Sequence, residues 1–297
     1  MAMLGIALVD KPYGISSHDA VNSLRRTLHT KRIGHAGTLD PLATGLLVFA
    51  IGPATRFLQY LPIEPKLYIA TLKFGQSTTT YDAEGDVSQT KPIPENLDIQ
   101  LSQIIPEFLG TIEQIPPMFS AIKQNGRPLY ELARKGISVE RRFRQVTIMK
   151  LIINRIEQDE AELEVLCSGG TYIRSLAHDI GQKLGCGAYL KSLRRTQVGK
   201  FSINNASSLE TISESKIMPL PDALDPLPQV TLNQDETKLI THGMPFIFQT
   251  TAWNNNQKVQ LIGHEQQFIG IARYSETMLY PECVLPSETI GTFSTSK

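Results

Sequence analysis

An α+β fold, with a mixed, largely antiparallel sheet flanked by helices and a small β-rich unit after it, is predicted for this chain. Three observations predict it. Strand-like segments come in runs, with helices inserted among them rather than alternating regularly as in βαβ units. Two segments carry clear helical periodicity on one face. After a proline-rich stretch, only short strand-like runs remain.

In chain order, residues 4–9 read as a strand stopped by Pro12 and Gly14. Ser16 or Ser17 caps a helix over 19–28, with Ala20, Val21, Leu24 and Leu28 on one face. Residues 34–45 form a glycine-punctuated loop, and 46–51 a buried strand. Over 68–74, Tyr68, Ala70, Leu72 and Phe74 alternate with the period of a half-buried strand. Residues 76–84 hold no large apolar side chain except Tyr81 and read as loop or edge. A helix over 97–105 ends at Pro106, and Pro116 and Pro117 break the chain. Strands over 146–156 and 161–167 flank a turn at Gln158 and Asp159. The helix over 173–184 turns Leu176, Ala177, Ile180 and Leu184 inward and closes at Gly185. Pro219, Pro221, Pro226 and Pro228 mark a linker, followed by short strands over 246–248, 259–262 and 268–272. The division is therefore 1–225 and 229–297.

The 297 residues are 41% hydrophobic and 20% charged, a globular composition that excludes fibrous and wholly disordered readings. The longest clean apolar run, 46–51, is far short of the roughly 18 residues that span a bilayer, so no membrane partner is expected. The apolar start, 1–9, runs into Asp10-Lys11-Pro12, which the core of an export signal would not tolerate. Cys167, Cys186 and Cys283 are odd in number and too widely spaced for a CxxC motif. Both points suggest reduced thiols in a cytoplasmic protein.

The 29 basic and 29 acidic residues cancel, but their distribution does not. Residues 123–150 hold Lys123, Arg127, Arg134, Lys135, Arg141, Arg142, Arg144 and Lys150 against Glu131 and Glu140 alone. Residues 183–200, with Arg194 and Arg195, are basic without an acid, and Arg25, Arg26, Lys31 and Arg32 make a third cluster. Solvated helix faces account for any one such cluster. Three together suit local neutralisation of phosphates.

Nucleotide-binding P-loops, HExxH zinc sites, GxSxG elbows and GxGxxG turns are all missing from the sequence. What stands out is 34–45, GHAGTLDPLATG, where glycines permit tight turns and Pro41 restricts Asp40. A carboxylate held this way suits a nucleophile or general base. The same pattern suits a helix N-cap with proline at the first helical position. His35 alone suits a turn. Arg174 lies in the first turn of its helix, where the macrodipole disfavours a cation, so an anion should compensate it. Asp179 or another nearby acid would serve, as would Asp40, whose ionised form the pairing would favour.

At these residues the chain resembles the tRNA pseudouridine synthase B family. The motifs are DKPYGISS from Asp10, GHAGTLDPLATGLL from Gly34, QIPPMFSA from Gln114, PLYELARKG from Pro128, GTYIR from Gly170 and LRR from Leu193. They occur in the family's order over about 5–201. The resemblance implies a pseudouridine synthase fold and isomerisation of one uridine in the T arm of tRNA, uridine 55, by base flipping. It implies Asp40 as the catalytic nucleophile, attacking C6 of the base or C1′ of the sugar. Arg174 would pair with it, and Tyr68 would stack on the flipped base and is a candidate to take the C5 proton. A plain core aromatic is the alternative for Tyr68. His35, Tyr172, Leu193, Asp82, Lys11 and Pro12 would line the substrate site. The basic insertion, about 115–150, would clasp the RNA, with Lys123, Arg127, Arg141, Arg142, Arg144, Arg194 and Arg195 on phosphates. The C-terminal segment stands where the family carries a PUA-like RNA-binding domain.

Flipping costs a few kcal/mol, which stacking at about 1–3 kcal/mol per base can offset. The reaction gains and loses nothing overall, so no cofactor and no metal are expected. The clasp-like insertion favours the stand-alone type over relatives that need a guide RNA or an obligatory protein partner. Two other readings compete: a tRNA-folding helper in which Asp40 is structural, and a glycosidase, which would want a second carboxylic acid about 5 Å from the first.

Overall fold

The computed structural model describes residues 3–290 apart from 121, 125, 134 and 138, so Ala121 and Arg134 lie outside it, as do the side chains of Lys123, Pro128 and Tyr130. Its elements are β1 Gly5–Lys11, α1 Ser17–Thr27, β2 Ile33–Ala36, β3 Ala43–Ile51, β4 Lys66–Phe74, β5 Gln76–Thr78, β6 Val87–Thr90, α2 Leu97–Ile104 and β7 Gly110–Gln114. The basic insertion follows, with β8 Lys123–Gln124, β9 Arg127–Pro128 and α3 Leu129–Ala133. Then come β10 Arg144–Glu157, β11 Glu160–Cys167, α4 Ile173–Lys183, β12 Ala188–Val198, β13 Phe201–Ser202 and α5 Leu220–Leu224. The chain continues with β14 Gln229–Thr231, α6 Gln234–Thr241, β15 Phe246–Ile247, β16 Gln257–Ile262, β17 Phe268–Ser275, β18 Met278–Val284 and α7 Ser287–Ile290.

The main sheet runs β1-β3-β12-β4-β11-β10-β7, with β2 added to β3 and β13 to β12. Among the described strands of this sheet only the β12–β3 pair is parallel, so the sheet is mixed and largely antiparallel. α4 lays Leu176, Ala177 and Ile180 on the cluster built by Ala70 and Leu72 of β4 and Leu190 and Leu193 of β12. α1 packs Ala20, Val21 and Leu24 against Ala7 and Val9 of β1 and Leu47 and Phe49 of β3. Its start is fixed by a capping box, in which the Ser16 hydroxyl accepts from Asp19 N–H while Asp19 accepts from Ser16 N–H.

The C-terminal sheet, β14-β16-β17-β18-β15, carries two short helices. It is docked on the larger sheet's 3₁₀ segment Gly52–Tyr60 by an edge-to-face Phe57–Phe268 contact at 5.3 Å and a hydrogen bond from Arg56 to the Val284 carbonyl.

Three elements differ from the sequence expectation. The loop over 34–45 is shorter, because β2 and β3 claim both its ends and leave 37–42. The proline-rich stretch holds α5, which buries Leu220, Ala223 and Leu224 and is packed rather than a free linker. The basic run 183–200 is mostly β12, a central strand of the sheet. The three cysteines are free and buried.

Candidate active site

Asp40 leaves the 37–42 loop just before β3, and no helix follows it, so the N-cap reading does not hold. The loop is tied from several sides. The Ser17 hydroxyl both donates to the Leu39 carbonyl (2.9 Å) and accepts from Leu39 N–H (2.8 Å), while Gly14 N–H donates to the Pro41 carbonyl. Ala43 N–H closes a turn onto the Asp40 carbonyl at 3.0 Å. The carboxylate is left 39% exposed.

Arg174 occupies the first turn of α4 and is 6% exposed in its side chain. Its Nη2 lies 3.0 Å from Asp40 Oδ2 and donates to the Phe119 carbonyl at 2.8 Å. Its Nη1 lies 3.4 Å from Asp82 Oδ2 and reaches the Thr80 carbonyl. Asp179, the alternative partner, does not hold it, and burial pushes the Asp179 carboxyl up to about 6. The cation that the helix dipole disfavours is thus compensated by two carboxylates.

Asp82 is 2% exposed in the loop between β5 and β6. The Thr80 hydroxyl donates to its Oδ1, which Glu84 N–H also reaches, and the Thr78 hydroxyl donates to its carbonyl. The loop is zipped to β12 through Leu190, which hydrogen-bonds Tyr81 and Ala83. Tyr81 adopts a left-handed φ of 65° and stacks on His178 of α4 at 3.9 Å.

Burial raises the Asp40 carboxyl above its ordinary value; Arg174 and then Lys11 oppose this, while Asp82 adds to it. Glu84, which the sequence motifs do not single out, is raised for the same reasons, burial first and then Asp82 and Asp40.

The other expected site residues fall into two groups. Tyr68 and Leu193 lie in one packed cluster with Leu39 and Leu42, directly beneath the Asp40 loop. Tyr68 is 7% exposed; burial raises its hydroxyl, and the nearby positive charge of Arg195 opposes that rise. Tyr172 is the N-cap residue of α4. His35 is half-buried and edge-on to Phe49, and burial and Arg195 lower its pKa, which favours the neutral ring. Pro12 is exposed.

Lys11 and Arg195 are placed differently from expectation. Lys11 is fully buried, and its Nζ donates to the carbonyls of Pro12 and Ile15, so it supports the turn. Burial lowers it to about 8, against the raising effect of Asp40. Arg195, expected on a phosphate, is 1% exposed. Its Nε donates to the Leu46 carbonyl (2.8 Å) and its Nη2 to the Gly37 carbonyl (2.9 Å), tying β3 to the start of the Asp40 loop. Gly45, beside it at φ 102°, is obligatory, because a Cβ there would stand 2.2 Å from the Arg195 carbonyl oxygen. Arg194 makes a two-pronged pair with Asp10 at 3.0 and 2.7 Å. Arg127, Arg142 and Arg144 are exposed, and Arg141 donates to the Pro116 carbonyl.

Among the described residues no cluster of His, Cys, Asp and Glu is arranged to hold a metal ion, and no helix is long and apolar enough to cross a membrane.

Residues 25–173 match the model of the TruB family pseudouridylate synthase N-terminal domain. Residues 174–227 match the tRNA pseudouridylate synthase B C-terminal domain, and 228–285 the C-terminal domain of pseudouridine synthase II TruB. The tRNA pseudouridine synthase B of Vibrio campbellii is 40% identical over 92% of this chain and 91% of its own. That of Chromobacterium violaceum is 45% identical over 82% of both. Among solved structures, the chain is similar to one in a Cbf5-Nop10-Gar1 complex, at 26% identity and a TM-score of 0.69 over 96% of this chain and 86% of that one. An archaeal box H/ACA Nop10-Cbf5 complex gives 22% identity and a TM-score of 0.70 over 98% and 89%, a likeness of fold.

Proposed function

The chain belongs to the TruB family of pseudouridylate synthases, and on that footing we propose that it converts uridine 55 in the T arm of tRNA to pseudouridine. The observation that carries the reading is the half-open Asp40 carboxylate, paired at 3.0 Å with an otherwise buried Arg174, above the cluster that holds Tyr68 and Leu193.

Asp40 is the nucleophile. It adds to the flipped uridine at C6 or at C1′. In either route the N1–C1′ bond breaks, uracil turns, C5 joins C1′, the bond to Asp40 breaks to return its carboxylate, and the C5 proton leaves as N1 gains one. Substrate and product are isomers, so atoms and electrons balance within the nucleotide and the protein's own acids and bases. Arg174 favours the ionised nucleophile against the burial that raises its pKa. Asp82, sharing that cation, fixes the fork of the guanidinium in one plane. Tyr68 supplies a stacking face and a hydroxyl for the C5 proton, and His35, Tyr172 and Leu193 complete the base's surroundings.

The exposed Arg127, Arg142 and Arg144 of the insertion about 115–150 grip the T-arm backbone. The part from 229 onward adds RNA contacts as a PUA-like unit beside the catalytic part, 1–225. The curated relatives are named for tRNA, which supports tRNA as the substrate; the enzyme then acts on it alone in the cytoplasm, with neither guide RNA nor obligatory protein partner.

Nucleoside mapping of an unmodified tRNA transcript incubated with the protein alone tests the reading. Pseudouridine at position 55, and none in a transcript with cytidine there, is expected. Tight tRNA binding without any product would replace the enzyme with a folding helper.

A further inference from the structure

We infer that Gln114 is a positioning residue for this reaction, joining the root of the basic insertion to the helix that carries Arg174; the inference rests on the function proposed above. Gln114 ends β7 at 1% exposure, directly before Ile115-Pro116-Pro117. Its Oε1 accepts from Tyr172 N–H at 2.7 Å, and its Nε2 donates to the Tyr172 carbonyl at 3.0 Å. One buried side-chain amide therefore bonds both backbone groups of a residue 58 positions away, whose carbonyl also accepts from Leu176 N–H at 3.1 Å. Tyr172 is the N-cap residue of α4 and offers no side-chain cap. Gln114 takes the part that an N3 side chain plays in a capping box, from another element of the fold.

The next residues extend the link. The Ser175 hydroxyl donates to the Ile115 carbonyl at 2.8 Å, and Arg174 Nη2, the nitrogen that faces Asp40, donates to the Phe119 carbonyl at 2.8 Å. On the other side Arg141, where the insertion returns, donates to the Pro116 carbonyl at 3.0 Å. Segment 114–119, where the insertion begins, is thus bonded to Tyr172, Arg174 and Ser175 at one side and to Arg141, where the insertion returns, at the other. Pro116 and Pro117 fix φ in its middle, so a displacement at one side passes along it. RNA seated on the insertion would in this way set the pocket residue Tyr172 and the Asp40 partner together.

Gln114→Met keeps the volume and deletes both hydrogen bonds. Single-turnover conversion of a T-arm transcript should fall about 10- to 100-fold, as expected for a misplaced catalytic group, with tRNA Kd within about twofold of wild type. The acid limb of the rate profile should also move to higher pH. Arg174 from α4, Asp82 and Glu84 from the β5–β6 loop and Lys11 from β1 all face Asp40, and only Arg174 is released by the change. Ser175→Ala, which removes a single anchor, should act in the same direction with smaller size, and it decides the matter if Gln114→Met does not fold. Wild-type rates and limb in these variants would overturn the inference. So would a rate loss that only tracks the folded fraction while the limb stays in place. An inactive wild type would instead strike at the proposed function itself.

Discussion

The Asp40 centre and the basic insertion are both rich in arginine, and the two regions use it in opposite ways. At the centre, Arg174 and Arg195 are buried and spend their donors on fixed carbonyls and carboxylates. On the insertion, Arg127, Arg142 and Arg144 are exposed. A buried guanidinium is a rigid fork that shapes the backbone around it, and an exposed one is a mobile charge ready for a phosphate. Residue type alone does not separate these jobs; the partners do.

The largest effect that would sharpen this comparison is expected at Arg174. Arg174→Lys keeps a charge but cannot span Asp40, Asp82 and two carbonyls, so the buried Asp82 loses its paired cation. Stability should fall by about 3 kcal/mol, the cost of breaking a buried pair. Because Arg174 lowers a carboxyl that burial raises, activity should be lost at higher pH than in wild type as the solution is acidified, and a pH–rate profile reads the shift. An unmoved acid limb would mean the pairing does not govern Asp40.

Arg195→Leu comes next. It leaves the Gly37 and Leu46 carbonyls without their donor, at about 2 kcal/mol in chemical denaturation. The salt dependence of tRNA binding should not change; a shallower slope would return Arg195 to a phosphate. The smallest effect on the fold is expected for Arg142→Ala with Arg144→Ala. The melting temperature should hold, while the slope of log affinity against log salt drops by about 0.7–0.9 for each phosphate no longer neutralised. An unchanged slope would count against the clasp.

What could be read from sequence follows the same line. The sequence narrows the cap of α1 to Ser16 or Ser17, and the structure places it at Ser16, with Asp19 closing the box, while β4 and β11 alternate cleanly between buried and half-buried positions and were legible. β12 was not. Its ladder with β4 slips at 190/192 and again at 195/197, which breaks the period of two, and its buried position 195 is an arginine. β18 hides behind Pro281 and Glu282 beside a bulge, and α6 buries only Ile240 of its residues. At the site, Asp40 and Arg174 stand in recognisable motifs. The Asp82–Arg174 pair and the Gln114 clamp on Tyr172 join residues tens of positions apart, and no local pattern encodes such a hydrogen bond.

The central claim is that Asp40 does chemistry instead of holding its loop together. Tritium release from C5-labelled uridine in an unmodified tRNA transcript, with wild type beside Asp40→Asn, tests it most directly. Release by wild type alone is expected, with the variant down by more than about 10³-fold, as for loss of a nucleophile, and its tRNA affinity within a few fold. Loss of release and of binding together would make Asp40 a structural residue, and release by the variant at the wild-type rate would remove it from the reaction.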